Sequence, residues 1–148
     1  MRLVLVALAA ALVSATAASA AVKVRATLTT SSTTAVAGVP WRYTIAVHTQ
    51  AGDPLPARAR FQVLHRSQLV GCWTRSGLVR CRADDAGTWI GFRGKRSATI
   101  LWPARWVGVD LTFRAVVVTR MQTLRLRAPV IVRAVERPAQ RPRHDVTS

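Results

Sequence analysis

Acidic residues are scarce in this chain. Of its 148 residues only 6 are Asp or Glu, against 22 Lys and Arg, so the formal net charge is +16 at pH 7. Only Asp84 and Asp85 are close in sequence, and such a pair is typical of a solvated turn, because a calcium site needs further oxygen ligands. The composition therefore argues against catalysis by paired carboxylates, and so basic a chain attracts polyanions.

Cysteine and histidine are equally few. Cys72 and Cys81 are the only cysteines, and their spacing is not that of a CxxC redox or zinc motif. His48 and His65 are predicted near the ends of adjacent strands, but two imidazoles without a third ligand make a weak metal site. No serine or cysteine lies in a nucleophile elbow, and no glycine-rich phosphate loop is present. We predict no metal, no cofactor and no enzymatic activity; the enzyme alternative requires His48, His65 and Asp53 to converge on one cleft.

Long apolar runs are absent except at the N-terminus. Residues 3–13 are apolar without interruption, follow Arg2 and precede the small residues Ala18-Ser19-Ala20. This pattern is typical of a secretory signal peptide, and the run is shorter than the roughly 20 residues of a spanning helix. We expect cleavage after Ala20 and a protein that is secreted or associated with the cell envelope. Cleavage removes one basic residue, which leaves 21 basic and 6 acidic residues and a net charge of +15.

Alternation of apolar and polar residues dominates the rest of the chain. Such a period of two predicts half-buried β-strands, and turn residues separate the alternating segments. Apart from the cysteine hairpin, strands are predicted at residues 22–29, 41–48, 58–63, 98–102, 111–117 and 124–133, with one helical turn at 104–107 and a tight turn near Arg120-Met121. Pro129 predicts that the last strand is an edge strand or is kinked there. The predicted large core residues are Trp41, Tyr43, Phe61 and Phe113. About 7–9 strands within residues 21–135 predict an all-β protein, an antiparallel β-sandwich, followed by a disordered Arg- and Pro-rich tail at 136–148.

The two cysteines are predicted to form a disulfide, because secreted proteins fold outside the reducing cytosol. Folding the segment about Ser76-Gly77 gives a two-residue hairpin turn that sets Cys72 opposite Cys81. Closing so short a loop stabilises the fold by about 2.5–3 kcal/mol in the chain-entropy model.

Three segments resemble bacterial secreted immunoglobulin-like domains. They are GVPWRYTI at residues 38–45, the turn AGDPLP at 51–56 and LTFRAVV at 111–117. The resemblance covers most of residues 22–134. It implies an immunoglobulin-like sandwich with a role in adhesion, spacing or recognition at the cell surface, and no active site.

The immunoglobulin-like arrangement places the third strand beside the last two, so that five arginines share the outer face of one sheet. They are Arg58, Arg60, Arg114, Arg125 and Arg127. Guanidinium groups bind phosphate and carboxylate in a bidentate way. We predict that this face docks on an anionic polymer of the cell envelope or on an acidic partner protein. The alternative is that the arginines only keep the sheet soluble. Secretion argues against nucleic acid, and the sequence leaves the oligomeric state open.

A second candidate surface is the segment 89–96, in which aromatic rings alternate with glycines and cations. Trp89, Phe92, Arg93 and Lys95 are its candidate contact residues for a glycan, a lipid surface or a protein groove. The alternative is that the two rings are buried under the edge of the sandwich. A further interpretation, a cationic membrane-active protein, requires an exposed amphipathic surface.

Overall fold

The alternating segments fold almost entirely into β-strands. The computed structural model describes residues 21–136, so the predicted signal peptide and nearly all of the predicted tail lie outside the described residues. The strands are β1 (Val24–Thr30), β2 (Thr34–Val36), β3 (Pro40–Thr49), β4 (Pro56–His65), β5 (Gln68–Thr74), β6 (Gly77–Val79), β7 (Ile90–Arg93), β8 (Lys95–Leu101), β9 (Asp110–Val118) and β10 (Thr123–Arg133). A single 3₁₀ turn at Ala104–Trp106 joins β8 to β9, where the sequence predicts one helical turn.

The strands form two sheets. The small sheet has the order β1-β3-β8, and the large sheet has the order β2-β10-β9-β4-β5-β6, with β7 beside the first half of β4. Neighbouring strands are antiparallel except β2, which runs parallel to β10. In immunoglobulin folds strands A, B and E lie in one sheet and strands G, F and C in the other. Here β1, β3 and β8 correspond to A, B and E, and β10, β9 and β4 correspond to G, F and C. The predicted immunoglobulin-like sandwich is confirmed. Residues 21–136 contain ten strands where about 7–9 were predicted, and two of the ten, β2 and β6, have only three residues each.

Aromatic residues fill the space between the sheets. Trp41, Tyr43, Phe61 and Phe113, the predicted large members of the core, are all buried. Phe113 lies at the centre, with ring centroids 5.4 Å from Trp41, 5.5 Å from Tyr43 and 5.3 Å from Phe61. Burying each such side chain stabilises the fold by roughly 1.5–3 kcal/mol before conformational entropy is counted. This packing makes the large sheet a rigid support for its outer face.

The cysteine hairpin forms with a different register from the predicted one. Cys72 pairs with Val79 instead of Cys81, and Thr74 pairs with Gly77. The turn is therefore Arg75-Ser76 and not Ser76-Gly77. The Thr74 hydroxyl accepts from the backbone N–H of Ser76 and donates to the carbonyl of Gly77, which fixes the turn one residue earlier. Gly77 adopts φ +100° directly after the turn, where only glycine is unstrained.

Two other features of the strands follow from backbone chemistry. Pro129 pairs with Thr112 on one side, and β2 joins the other side of β10 only from Ile131 onward. Because proline has no N–H to donate, it occupies an edge position there, as the sequence predicts. The β4–β5 hairpin turns through Arg66 and Ser67, which adopt φ values of +48° and +67° without a glycine.

Residues 21–136 contain no helix long and apolar enough to cross a membrane.

Candidate functional site

All five predicted arginines lie on the outer face of the large sheet. The strand register aligns them in rows, because β4, β9 and β10 are neighbours. One row contains Arg60, Val116 and Arg125, and the next contains Gln62, Arg114 and Arg127. Arg58 precedes these rows on β4, on the same face. We call these five residues the arginine face.

A loop covers part of this face. Residues 82–88, here named the cover segment, pass from β6 towards β7 across the outside of β4. Gln62, which is fully buried, donates from Nε2 to the carbonyl oxygens of Asp84 at 2.8 Å and Ala86 at 3.2 Å. Arg60 donates from Nη1 to the carbonyl oxygen of Asp85 at 2.6 Å. The cover segment is therefore held to the sheet by side chains of the outer face.

Arg114 completes this anchor. Its Nε and Nη2 donate to Oε1 of Gln62 at 3.0 and 2.6 Å, and Nη2 lies 3.4 Å from a carboxylate oxygen of Asp84. The Arg114 side chain is only 12% exposed, whereas that of Asp84 is 90% exposed. The ion pair is thus open to water on one side and contributes little by itself. Arg114 acts mainly as a donor that orients Gln62.

The remaining arginines of the face are exposed. Arg58, Arg125 and Arg127 make no side-chain hydrogen bond or ion pair with any residue in the described part of the chain. Arg127 lies directly opposite Arg114, and Arg125 is two residues away on the same face of β10. The arginine face therefore consists of two arginines that hold the cover segment and three that are free to contact a ligand.

Trp89 belongs to the same surface. Its ring is 37% exposed, with the guanidinium of Arg60 at 4.7 Å and that of Arg58 at 5.5 Å from the ring centroid. Both distances are those of cation–π contacts. Gly91 lies opposite Arg58 on β7, and its lack of a side chain leaves open space there. Trp89 thus positions two guanidinium groups beside a partly exposed aromatic surface.

The predicted contact segment 89–96 does not form one surface. Residues 90–93 are strand β7, so their side chains alternate between the two sides of the sheet. Phe92 is half-buried and packs against the core, whereas Arg93 is exposed on the outer side. Gly94, with φ +69°, then turns the chain into the other sheet, where Lys95 begins β8. Only Trp89 and Arg93 of the four predicted contact residues remain with the arginine face.

A shallow depression adjoins the arginine face at the end of β9. Its volume is about 350 Å³, and Arg58, Thr119 and Arg120 are among its lining residues. Arg120 occupies the β9–β10 turn, which the hydroxyl of Thr119 fixes by accepting from the backbone N–H groups of Met121 and Gln122. Strand parity predicts the sides of strand residues only, so it does not place Arg120 of this turn on the face.

Cys72 and Cys81 lie 2.5 Å apart although the hairpin does not pair them. Cys72 is buried on β5, and Cys81 follows β6 at the start of the loop that becomes the cover segment. Burial and the adjacent Cys72 thiol raise the pKa of Cys81 to about 12. The disulfide stays a prediction, which this proximity allows.

Tyr43 and Arg96 form an internal polar contact of the sandwich. Burial raises the pKa of the Tyr43 hydroxyl, and the positive charge of Arg96 partly opposes that rise. Arg96 is half-buried on β8 at the position paired with Ile45. This arginine is therefore directed towards the inside of the fold and is not part of a ligand surface.

The three residues of the enzyme alternative do not converge. His48 and Asp53 lie close together, because His48 bridges to Pro54 and the backbone N–H of Thr49 donates to Asp53. His65 ends β4, whose first residue follows this turn, so roughly 30 Å of extended strand separate the two histidines. Within residues 21–136 no three His, Cys, Asp or Glu side chains are grouped to hold a metal ion.

Comparisons with known proteins give a fold-level likeness only. No protein-family model matches the chain, and no curated protein matches it. Among solved structures it is similar to the CARDB domain of the PF1109 protein from Pyrococcus furiosus, crystallised in complex with di-metal ions. The match has 12% identity and a TM-score of 0.44, and it covers 78% of this chain and 96% of that one.

Proposed function

We propose that this protein is a secreted, non-enzymatic immunoglobulin-like module that binds an anionic polymer of the bacterial cell envelope through its arginine face. The observation that carries the proposal is the exposure of Arg58, Arg125 and Arg127 on one rigid sheet, without an acidic partner among the described residues. An unpaired guanidinium retains its full capacity for bidentate contacts with phosphate or carboxylate.

The spacing of these cations suits a polymer better than a single small anion. Arg125 and Arg127 are two residues apart on one strand, which is about 7 Å in an extended chain. Arg58 lies two strands away from β10, which adds about 10 Å across the sheet. A flexible chain with repeating charges can contact all three, whereas one phosphate group can contact only one or two.

Trp89 adds a surface that a charged polymer containing sugar rings can use. Its exposed part lies beside Arg58, so a ligand that contacts the guanidinium also meets the aromatic ring. Two neighbouring cations, Arg93 on β7 and Arg120 in the β9–β10 turn, extend the positive surface on this side. Positive charges grouped on one surface raise the local concentration of an anionic polymer.

The test is binding of the purified protein to purified anionic wall polymer, with long-chain polyphosphate as a chemically defined probe. Affinity is expected to fall at least ten-fold between about 20 and about 150 mM salt, because ion release drives such binding. The triple variant Arg58→Gln, Arg125→Gln, Arg127→Gln is expected to bind the polymer about ten-fold more weakly, or weaker still, at low salt.

The matched control is Arg25→Gln, Arg42→Gln, Arg75→Gln, which removes the same charge from exposed arginines away from the face. Its affinity is expected to change less than three-fold. Absence of binding at low salt, or equal losses in the two triple variants, refutes the proposal and leaves the arginines as solubilising residues.

A further inference from the structure

A cleft opens between the two sheets at the end of β8, away from the arginine face. Its volume is about 710 Å³. The β5–β6 turn forms one wall, residues 99–104 form the other, and Ala134 and Val135 close one end. Leu78, Ile100, Leu101 and Trp102 give the cleft an apolar lining.

The strand beside this cleft has a free edge. In the described residues β8 pairs with β3 on one side only. After Lys95 and Arg96 its remaining residues, 97–101, carry no charge and end in Ile100 and Leu101. Natural edge strands are usually protected by charged residues, bulges or a covering element, because their free N–H and C=O groups can pair with another chain. This part of β8 has no charged residue to prevent such pairing.

Exposed apolar side chains mark the same place. Leu101 is 58% exposed and Val135 is 60% exposed, and both line the cleft together with the exposed Val107. Single exposed apolar residues are normal, but a group beside an apolar cleft is typical of an interaction site. Trp102 also lines the cleft, and its buried indole N–H has no acceptor among the described residues. The indole N–H is not exposed to the cleft, so the cleft offers apolar contacts.

The charge around the cleft limits what can occupy it. Arg75 lines it, Arg105 donates to the backbone of Leu78 in its wall, and no Asp or Glu is among its lining residues. Residues 21–136 contain 18 basic and 5 acidic residues, so a second copy of the chain would bring like charge. The chain's own last residues, 137–148, add three arginines and one aspartate and contain no alternating apolar residues.

We infer that this cleft receives an extended segment of a partner protein, in which apolar residues alternate with acidic ones, and that the segment adds to β8 as a strand. In strand addition the backbone pairs with the free edge, and alternate side chains enter the neighbouring pocket. The apolar side chains would enter the cleft, and the acidic ones would point to the outer side of the small sheet, where Arg42 and Lys95 are exposed. The inference concerns a surface separate from the arginine face, so it goes beyond the proposed function.

A synthetic fluorescent peptide of about eight residues, alternating valine and glutamate, is a sufficient probe because that length spans β8. A peptide of the same composition, with the valines first and the glutamates last, is the matched probe. The alternating peptide is expected to bind the protein at least ten-fold more tightly than the block peptide. On binding, the amides of residues 97–101 are expected to exchange hydrogen at least ten-fold more slowly.

Leu101→Asp places a negative charge in the cleft and is expected to weaken binding of the alternating peptide at least ten-fold. Val135→Asp is expected to have the same effect. Both side chains are largely exposed, so the fold tolerates the changes. The matched control is Met121→Asp, which changes the charge equally at an exposed apolar residue of the β9–β10 turn. Its affinity for the peptide is expected to stay within two-fold.

Three results overturn the inference. One is that all three aspartate variants weaken peptide binding equally, which would show that the net charge of the protein alone attracts the peptide. Another is slowed exchange on β10 in place of β8. The third is a dimer in sedimentation that Leu101→Asp abolishes, because the cleft then binds a second copy. The arginine triple variant is expected to retain peptide binding and Leu101→Asp to retain polymer binding, so the two proposals fail independently.

Discussion

Replacing Gln62 by leucine tests whether the cover segment depends on this one buried side chain. Gln62 is fully buried and makes four hydrogen bonds, two to backbone carbonyls of the cover segment and two from Arg114. Leucine fills a similar volume but cannot make any of the four. The substitution therefore leaves Arg114 and two carbonyl groups without their partner.

The loss can be bounded from these bonds. Neutral hydrogen bonds contribute about 0.5–1.5 kcal/mol each, and bonds from a charged donor about 1.5–3 kcal/mol. The carbonyl of Asp84 belongs to an exposed residue that can turn to water, and Arg114 retains its contact with the Asp84 carboxylate. The four bonds sum to about 4–9 kcal/mol, and because both groups keep other partners we expect a loss below that range, about 3 kcal/mol in the free energy of unfolding.

Urea unfolding followed by tryptophan fluorescence measures that loss, and thermal unfolding should show a decrease in Tm of about 10 °C. Hydrogen exchange of residues 83–88 is expected to accelerate at the same time. Gln62→Glu keeps the acceptor for Arg114 but sets a carboxylate oxygen against the two carbonyl oxygens of the cover segment, so hydrogen exchange of that segment should accelerate in this variant as well. Gln68→Leu, at an exposed glutamine that begins β5, is the matched control and should change stability by less than about 0.5 kcal/mol. A loss below about 1 kcal/mol in Gln62→Leu, with unchanged exchange in the cover segment, refutes the reasoning.

Two further predictions concern backbone strain and thiol ionisation. Arg66 and Ser67 both have positive φ, so Arg66→Asn with Ser67→Gly should raise the free energy of unfolding by about 1 kcal/mol in urea titration. Ser76→Gly, in a turn residue without positive φ, should not raise it, and equal gains in both variants would contradict the strain argument. The raised pKa of Cys81 means that folding favours the neutral thiol, so in the reduced protein this stabilisation is present below about pH 9 and is lost as the pH approaches 12. Urea titrations between about pH 8 and about pH 11 should show a larger fall in stability for the reduced protein than for the oxidised protein, because the raised pKa of Tyr43 affects both forms, and identical profiles would contradict the prediction.

Strand parity explains why the five arginines share the outer side of the large sheet. Side chains alternate between the two sides of a strand, so the apolar residues of β4, β9 and β10 determine the side on which the arginines lie. Phe61 and Phe113 are buried as predicted, and the arginines beside them in sequence are therefore on the outside. The placement of β4 next to β9 came from the immunoglobulin-like resemblance and not from parity.

Local patterns could not show how loops and turns use side chains. Gln62 has outward parity, and only the return of the cover segment over the sheet makes it buried. The cover segment has no apolar–polar periodicity, so the sequence does not predict that it folds back over the sheet. The one sign is that Gln62 is neutral where the other outward residues of β4 are Arg58 and Arg60. The predicted register of the cysteine hairpin was wrong for a similar reason. A glycine rule placed the turn at Ser76-Gly77, whereas the Thr74 hydroxyl fixes it at Arg75-Ser76.

The division of the arginine face decides how its function must be tested. Arg114 needs several N–H donors in a fixed plane to hold Gln62 and face Asp84 together, which a lysine ammonium does not provide in this geometry. Arginine at this position is therefore required by the fold whatever the protein binds. Substituting Arg60 or Arg114 would release the cover segment and change the surface beside Trp89. A loss of polymer binding in such a variant would report unfolding of the loop as much as loss of a contact. Only Arg58, Arg125 and Arg127 can distinguish a ligand surface from a structural one.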